Sequence, residues 1–231
     1  NAKHPNGLAN SSDQLGRNLM KHQNAVVLAI SRNKNTNVFQ KTLAVSDFYW
    51  GDKEYPFPMG HVQMMGKANG NMLASDAPAF TPEFVLDTMA SHSIAWWLTS
   101  EDLPSPENRV LLKGEEIHVQ YTANNTTSFH HLIKRWKTLL NESDMYDSVL
   151  DYNLNISQDI PLSGLAHQNG TLRFGNDPAT SVLDVNCKTH DLDNVYVVDG
   201  SFFVSASAVN PSLTIIANAI RVGEHLLNQL K

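Results

Sequence analysis

The chain of 231 residues carries a formal net charge of −6, and its lysines and arginines are scattered rather than gathered into a basic run. This charge pattern gives no support for nucleic-acid binding. The single cysteine, Cys187, excludes an internal disulfide framework and a metal cluster built from cysteines, and apolar runs such as residues 25–30 are far too short to span a bilayer.

The first half of the chain is predicted to consist mainly of strands. Residues 1–24 are polar and predict a connecting loop, which contains "GRNLMKH" at 16–22. From residue 25 to about 123, short apolar runs alternate with turn residues, and this pattern predicts consecutive strands. Strands without intervening helices favour an antiparallel sheet. The runs are AVVLAISRN, KTLAVSDFYW, GHVQMMGKA, SIAWWLTSED, NRVLL and EIHVQYT.

Two helices are predicted within this part of the chain. The first covers residues 81–91, with Thr81 as its cap and Pro82 at its first position. The second covers residues 128–142 and is amphipathic, with Lys and Arg residues on the side opposite its apolar stripe. That stripe consists of Leu132, Ile133, Trp136, Leu139 and Leu140.

The C-terminal part predicts a strand, a loop of small residues and a final helix. The nearly continuous apolar run in residues 194–200, "NVYVVDG", predicts a strand that is covered on both faces, as in a parallel sheet. Asn210 is predicted to cap a helix over 211–228, with Pro211 at the first helical position. Its buried face is predicted to contain Leu213, Ile216, Ala217, Ile220 and Leu227.

Several familiar catalytic motifs are absent from the sequence. No G-x-G is present, so the chain lacks the glycine-rich fingerprint of dinucleotide-binding proteins. No G-x-S-x-G elbow indicates a serine hydrolase. His130 and His131 are adjacent on a predicted helix and point in different directions, so no metal site is predicted.

An ordered series of short elements runs through residues 164–221. In chain order, these elements are His167 with the following Gly170-Thr171, Asp177-Pro178, Ser181-Val182 with Asp184, Asn194 to Val197, Asp199-Gly200-Ser201, Asn210-Pro211 and Thr214. The series resembles the C-terminal signature of the glucose-methanol-choline (GMC) family of FAD-dependent oxidoreductases. Upstream, "GRNLMKH" resembles the family's Gly-x-Asn-Leu segment beside the flavin, and "EDLPSPENRVLL" resembles the strand-turn-strand of its substrate domain.

The resemblance implies an α+β chain with three parts. Residues 1–24 would be a connecting segment beside the flavin, and residues 25–160 an antiparallel substrate-binding domain with helices. Residues 161–231 would be the C-terminal strand-loop-helix segment of an α/β FAD-binding domain. The family's N-terminal dinucleotide-binding unit is not found here, so we expect a missing N-terminal half or a companion chain, and an incomplete, inactive chain without it.

The implied reaction is oxidation of a CH–OH group, of a sugar or polyol for example, by hydride transfer to FAD. By resemblance, His167 is the base that takes the hydroxyl proton, and Asn210 is its hydrogen-bonding partner at the substrate. An imidazole suits this role because a histidine ordinarily titrates near ~6.5. The residues implied at the cofactor are Asn18, Asp199, Gly200, Asn210, Pro211, Ser212 and Thr214.

An alternative interpretation is a cofactor-free module that binds a ligand or a protein on its antiparallel sheet. Its support is the absent dinucleotide motif. The role of the aromatic residues is also open, because they provide either a stacking surface for a sugar or part of the core. No transmembrane segment is predicted, so we expect a soluble protein of cytoplasm or periplasm. The aromatic residues concerned are Trp50, Tyr55, Phe57, Trp96 and Trp97.

Overall fold

A computed structural model describes residues 4–38, 41–74, 77–144, 146–152 and 166–231. The chain divides into two compact units. The first unit comprises Asn1–His22, Asp102–Asn124 and Leu165–Lys231, and the second comprises Gln23–Glu101 and Asn125–Gly164. Residues 102–124, expected in the substrate domain, lie in the same compact unit as the two chain ends. The expected boundary at residue 160 lies outside the described residues.

The second unit contains an antiparallel sheet, as the sequence predicts, and five strands of the described residues form it. The strands are β1 (Gln23–Ile30), β2 (Ala44–Val45), β3 (His61–Met64), β4 (Ser93–Ser100) and β7 (Ser148–Tyr152). The order across the sheet is β2-β3-β4-β1-β7, and its longest pairing joins the whole of β1 to the whole of β4. The predicted run at 41–50 forms only the two-residue strand β2, and the sequence did not predict β7. The predicted runs NRVLL and EIHVQYT belong to a separate two-stranded sheet.

One face of this sheet is covered by a long amphipathic helix, α3 (Thr126–Glu142). The helix buries Phe129, Leu132, Trp136 and Leu140 against sheet residues that include Trp96. Each such side chain contributes roughly 1.5–3 kcal/mol through burial. The structure confirms the predicted helix and starts it two residues earlier, whereas Leu139, predicted on the apolar side, is exposed.

The opposite face packs against two short helices, α1 (Gly70–Ala74) and α2 (Glu83–Ser91). The predicted helix 81–91 is thus confirmed as α2, but its start differs. Pro82 occupies the N-cap position without a side-chain capping bond, and the Thr81 hydroxyl donates instead to the carbonyl of Pro78 at 2.7 Å. The Thr81 hydroxyl was predicted to cap the helix, but it stabilises a turn at residues 78–81.

The aromatic residues of the second unit have different environments. Trp96 is a core residue whose ring lies edge-on to Trp136, with the ring centroids 4.8 Å apart. Trp97 is half-buried, and its indole N–H donates to the side-chain oxygen of Asn24 at 3.0 Å. Tyr55 packs against the core, whereas Trp50 and Phe57 are exposed.

The first unit contains a β-hairpin, the C-terminal helix and a small apolar core. The hairpin is formed by β5 (Arg109–Lys113) and β6 (Glu116–Gln120), and the helix is α4 (Ser212–Gln229). None of the helices in the described ranges is long and apolar enough to cross a membrane. The buried residues of this core are Val182, Leu183, Cys187, Phe202 and Val222.

Two predictions about the C-terminal part are wrong. Residues 194–200, all of which the structure describes, form no strand but a single antiparallel bridge between Tyr196 and Lys188, because no neighbouring strand extends the pairing. The stripe of α4 that was predicted to be buried is exposed. Leu213 is 80% exposed and Ile216 57%, while the opposite side, with Val222, faces the core.

Candidate active site

His167 is carried by a short backbone ladder of the first unit. The amide of Met20 donates to the carbonyl of Asn169 at 3.0 Å, and the amide of Asn169 donates back to Met20 at 2.9 Å. The buried side chain of Asn169 donates to the carbonyl of His167 at 2.8 Å. These bonds hold the backbone of His167 in place, and its half-buried imidazole projects from that ladder.

The same ladder brings the two halves of the sequence signature together. The amide of Gly170 donates to the carbonyl of Gly200 at 3.3 Å, and the amide of Leu172 donates to Ser201 at 2.9 Å. A Cβ on Gly200 would lie 3.1 Å from the carbonyl oxygen of Gln168, a tight contact that shows how closely the two segments approach. The segment with Asp199 and Gly200 thus lies directly beside the segment with His167.

The nearest aromatic neighbour of His167 is a second histidine, His22. The centroids of the two imidazoles are 5.0 Å apart, and their planes are perpendicular. His22 is 1% exposed. Its pKa is lowered to about 4, first by burial and second by the charge of His167, while the backbone of Ser207 acts in the opposite direction. His22 is therefore neutral at ordinary pH.

A buried carboxylate anchors the backbone next to His22. Asp102 is fully buried and accepts hydrogen bonds from the amide of Lys21 at 2.8 Å and from the Tyr121 hydroxyl at 2.8 Å. The ammonium group of Lys21 lies over the Tyr121 ring, 4.6 Å from its centroid. This arrangement ties the segment that carries His22 to Asp102 and to Tyr121, the residue that follows the hairpin strand β6.

The loop of small residues before α4 is packed within the unit. Ala206 and Ala208 are each 1% exposed, and Ser207 has a positive φ of 52°. The small size of the two alanines is therefore explained by packing within this chain. Ser205 is exposed, so it is available to a ligand.

The start of α4 differs from the predicted cap. Pro211 occupies the N-cap position, no side chain caps the helix, and Ser212 is its first residue. Asn210 lies before this N-cap, so the prediction that it caps the helix is wrong, and the residue is exposed. Since Asn210 is three residues from Ser207, its Cα lies within about 11 Å of the Ser207 Cα.

The other residues implied at the cofactor divide into exposed and buried ones. Asp199, Ser212 and Thr214 are exposed, and the Asp199 carboxylate accepts from the amide of Ser201 at 2.8 Å. Asn18, Gly200 and Pro211 are buried, and Asn18 has a positive φ of 61°. All of these residues lie in the first unit, with His167 and Asn210.

Sequence reasoning did not identify His22, although it noted the segment that contains it. A lone histidine after a polar loop carries no signal of a partner that lies far along the chain. Only folding brings the ring of His22 against that of His167.

Known proteins similar to this chain are alcohol and sugar oxidoreductases. A 2-methyl-1,2-propanediol dehydrogenase of Mycolicibacterium austroafricanum is 26% identical over 96% of this chain and 43% of that protein. A 6'''-hydroxyparomomycin C oxidase of Streptomyces lividus is 46% identical over 29% of this chain and 12% of that protein. The chain thus spans less than half the length of these relatives.

A solved structure shares the fold. A formate oxidase of Aspergillus oryzae RIB40, described for its FAD modification, matches 96% of this chain and 49% of its own with a TM-score of 0.63 at 14% identity. The sequence model of the GMC oxidoreductase family matches residues 104–219, half of the chain, including His167, Asn169 and the start of α4. The chain therefore belongs to the GMC oxidoreductase family.

Proposed function

We propose that this chain is the C-terminal portion of an FAD-dependent enzyme that oxidises a CH–OH group. The observation that carries the proposal is that the Met20–Asn169 ladder holds the backbone of His167 in the same unit as the exposed Asn210. The names of the relatives, a propanediol dehydrogenase and a hydroxyparomomycin oxidase, favour a polyol or a sugar as the substrate.

The exposed residues at the start of α4 fit an FAD molecule. The N-terminal turn of this helix has no side-chain cap and exposes Ser212 and Thr214. Its free N–H groups and its positive end favour an anionic or electron-rich group. Asp199 is exposed nearby in sequence, whereas the buried Asn18, Gly200 and Pro211 would shape the site through the backbone. Bound FAD supplies the hydride acceptor of the reaction.

The chain's own residues handle the proton and the substrate hydroxyl. The imidazole of His167, when neutral, accepts the proton of the hydroxyl through a ring nitrogen. The exposed amide of Asn210 donates a hydrogen bond to the same oxygen as negative charge develops there. An amide suits this position because it donates a hydrogen bond without adding charge.

The exposed stripe of α4 favours a covering partner. Leu213, Ile216, Ile220 and Leu227 are all exposed on one helix, and an apolar surface of this kind marks an interaction site. The relatives are more than twice as long as the matched region. We assign the stripe to the N-terminal FAD-binding half, within the same polypeptide or as a companion chain. That half would also supply the dinucleotide-binding loop.

The test is the rate of flavin reduction in the FAD-loaded protein, that is, this chain together with its N-terminal half. We expect His167→Ala to lower this rate by about 10²–10⁴-fold while FAD stays bound. His118→Ala is the matched control, since His118 is a half-buried histidine of the same unit on the hairpin strand β6. Equal rates in both variants would remove His167 from the reaction.

A further inference from the structure

Two histidines from distant parts of the chain lie beside the same pair of backbone hydrogen bonds in the first unit. Met20, two residues before His22, and Asn169, two residues after His167, exchange a pair of backbone hydrogen bonds of 3.0 and 2.9 Å. The imidazoles stand perpendicular at a centroid distance of 5.0 Å. Perpendicular packing of flat rings at this distance is a favourable and directional contact.

The position of His22 is fixed more firmly than that of His167. The ring of His22 is 1% exposed, and its backbone has a positive φ of 66°. The amide of Lys21, the residue before it, donates to the buried carboxylate of Asp102. His167 is half-buried, so one side of its ring remains accessible. A firmly held ring therefore lies against a more accessible one.

We propose that His22 is a positioning residue, which holds the imidazole of His167 in one orientation for proton transfer. This role rests on the proposed function of His167 as the base. Orientation matters because a misplacement of about 1 Å can lower a reaction rate by about 10²-fold. His22 itself contacts neither substrate nor cofactor in this proposal and acts only through His167.

The electrostatic surroundings of His22 agree with this role. Burial lowers the pKa of His22 most, and the charge of His167, the group that faces it from the loop at 166–170, lowers it further. From the loop before α4 the facing group is the uncharged backbone of Ser207. Among the remaining neighbours, the Asp102 carboxylate accepts hydrogen bonds from the Lys21 amide and the Tyr121 hydroxyl. The Lys21 ammonium lies over the Tyr121 ring. His22 thus stays neutral and adds no charge next to His167 when that residue takes up a proton.

The test is a double-mutant cycle in the FAD-loaded protein. His22→Leu removes the flat ring, and His22→Phe restores a flat ring. Both variants lack the two ring nitrogens, so they are matched for that loss. We expect His22→Leu to lower the limiting rate of flavin reduction by about 10- to 100-fold with FAD content and substrate affinity unchanged. His22→Phe should recover most of that rate. In a His167→Ala background, His22→Leu should have no further effect, because the residue it positions is gone.

The outcomes separate the two proposals. An unchanged rate in His167→Ala overturns the proposed base. His167→Ala could lower the rate strongly while His22→Leu is equally harmful with His or Ala at position 167. That result overturns the positioning role alone. Equal rates for His22→Leu and His22→Phe also overturn it.

A measurement without any variant covers the case in which these substitutions prevent folding. ¹⁵N NMR of the imidazoles in the wild-type protein should show His22 in one neutral tautomer from pH 8 down to about 5. Protonation of His22 near ~6.5, the ordinary value for histidine, would place a second positive charge beside His167 and refute the proposal.

Discussion

Gly170 provides a sharp test of the ladder that carries His167. The residue has a positive φ of 89°, and its own amide bonds to Gly200. A Cβ at this position would lie 2.6 Å from the Sδ-bound methyl carbon of Met20 and would overlap the carbonyl of Asn18. Gly170→Ala therefore combines an unfavourable backbone conformation with a collision against the segment that leads to His22.

The size of the effect follows from two contributions. An alanine at positive φ costs about 1–2 kcal/mol, and the reduced entropy of the unfolded chain offsets about 0.4–1 kcal/mol of this. The collision adds about 1–3 kcal/mol, since the obstacle includes backbone. We expect Gly170→Ala to lower the free energy of unfolding by about 2–4 kcal/mol.

Gly114 is the matched control in the same unit. It also has a positive φ, of 65°, in the turn between β5 and β6, but nothing lies within 4 Å of a Cβ placed there. Gly114→Ala should therefore cost only about 0.5–1 kcal/mol, from the backbone alone.

The assay is urea unfolding followed by far-UV circular dichroism, with flavin reduction measured in the FAD-loaded forms. Gly170→Ala should also reduce flavin more slowly, whereas Gly114→Ala should match the wild type. Unfolding free energies that agree within about 0.5 kcal/mol for the two variants would refute the close approach between Gly170 and the Asn18–Met20 segment.

Three further predictions concern the same unit. Because Asn210 does not cap α4, we expect Asn210→Asp and Asn210→Ser to keep the wild-type melting temperature. The rate of flavin reduction should fall most for Asp, because its carboxylate cannot donate a hydrogen bond. Near-normal reduction in the Asp variant would contradict the role of Asn210 at the substrate. The pKa of His22, lowered to about 4 in the fold, means that unfolding takes up a proton between pH 6.5 and 4. Stability should therefore fall by about 3 kcal/mol as the pH drops through that window, and His22→Phe should remove this contribution in pH-dependent melts. The isolated chain should bind FAD weakly and self-associate through the exposed stripe of α4. Ile216→Gln with Ile220→Gln should reduce this association in sedimentation experiments, and unchanged association would show that the stripe is not the contact surface.

Local patterns in the sequence were sufficient for most of the second unit. Helix α3 is predictable because its apolar residues recur with helical spacing, and β1, β3 and β4 are predictable because apolar runs end at turn residues. The wrong predictions fall where the partner of a segment is not adjacent in sequence. "NVYVVDG" reads as a buried strand, yet it forms no strand because pairing depends on neighbours that the local run does not contain.

By itself the sequence determined the family signature, the antiparallel sheet and the identity of the candidate residues His167 and Asn210. Only the tertiary structure decided which side of α4 is buried, since either apolar stripe satisfies a periodic pattern and packing against Phe202 and Cys187 selects one. The contact of His22 with His167 was likewise decided by folding. Such a contact depends on loop closure and burial over a long stretch of chain, and no local propensity encodes it.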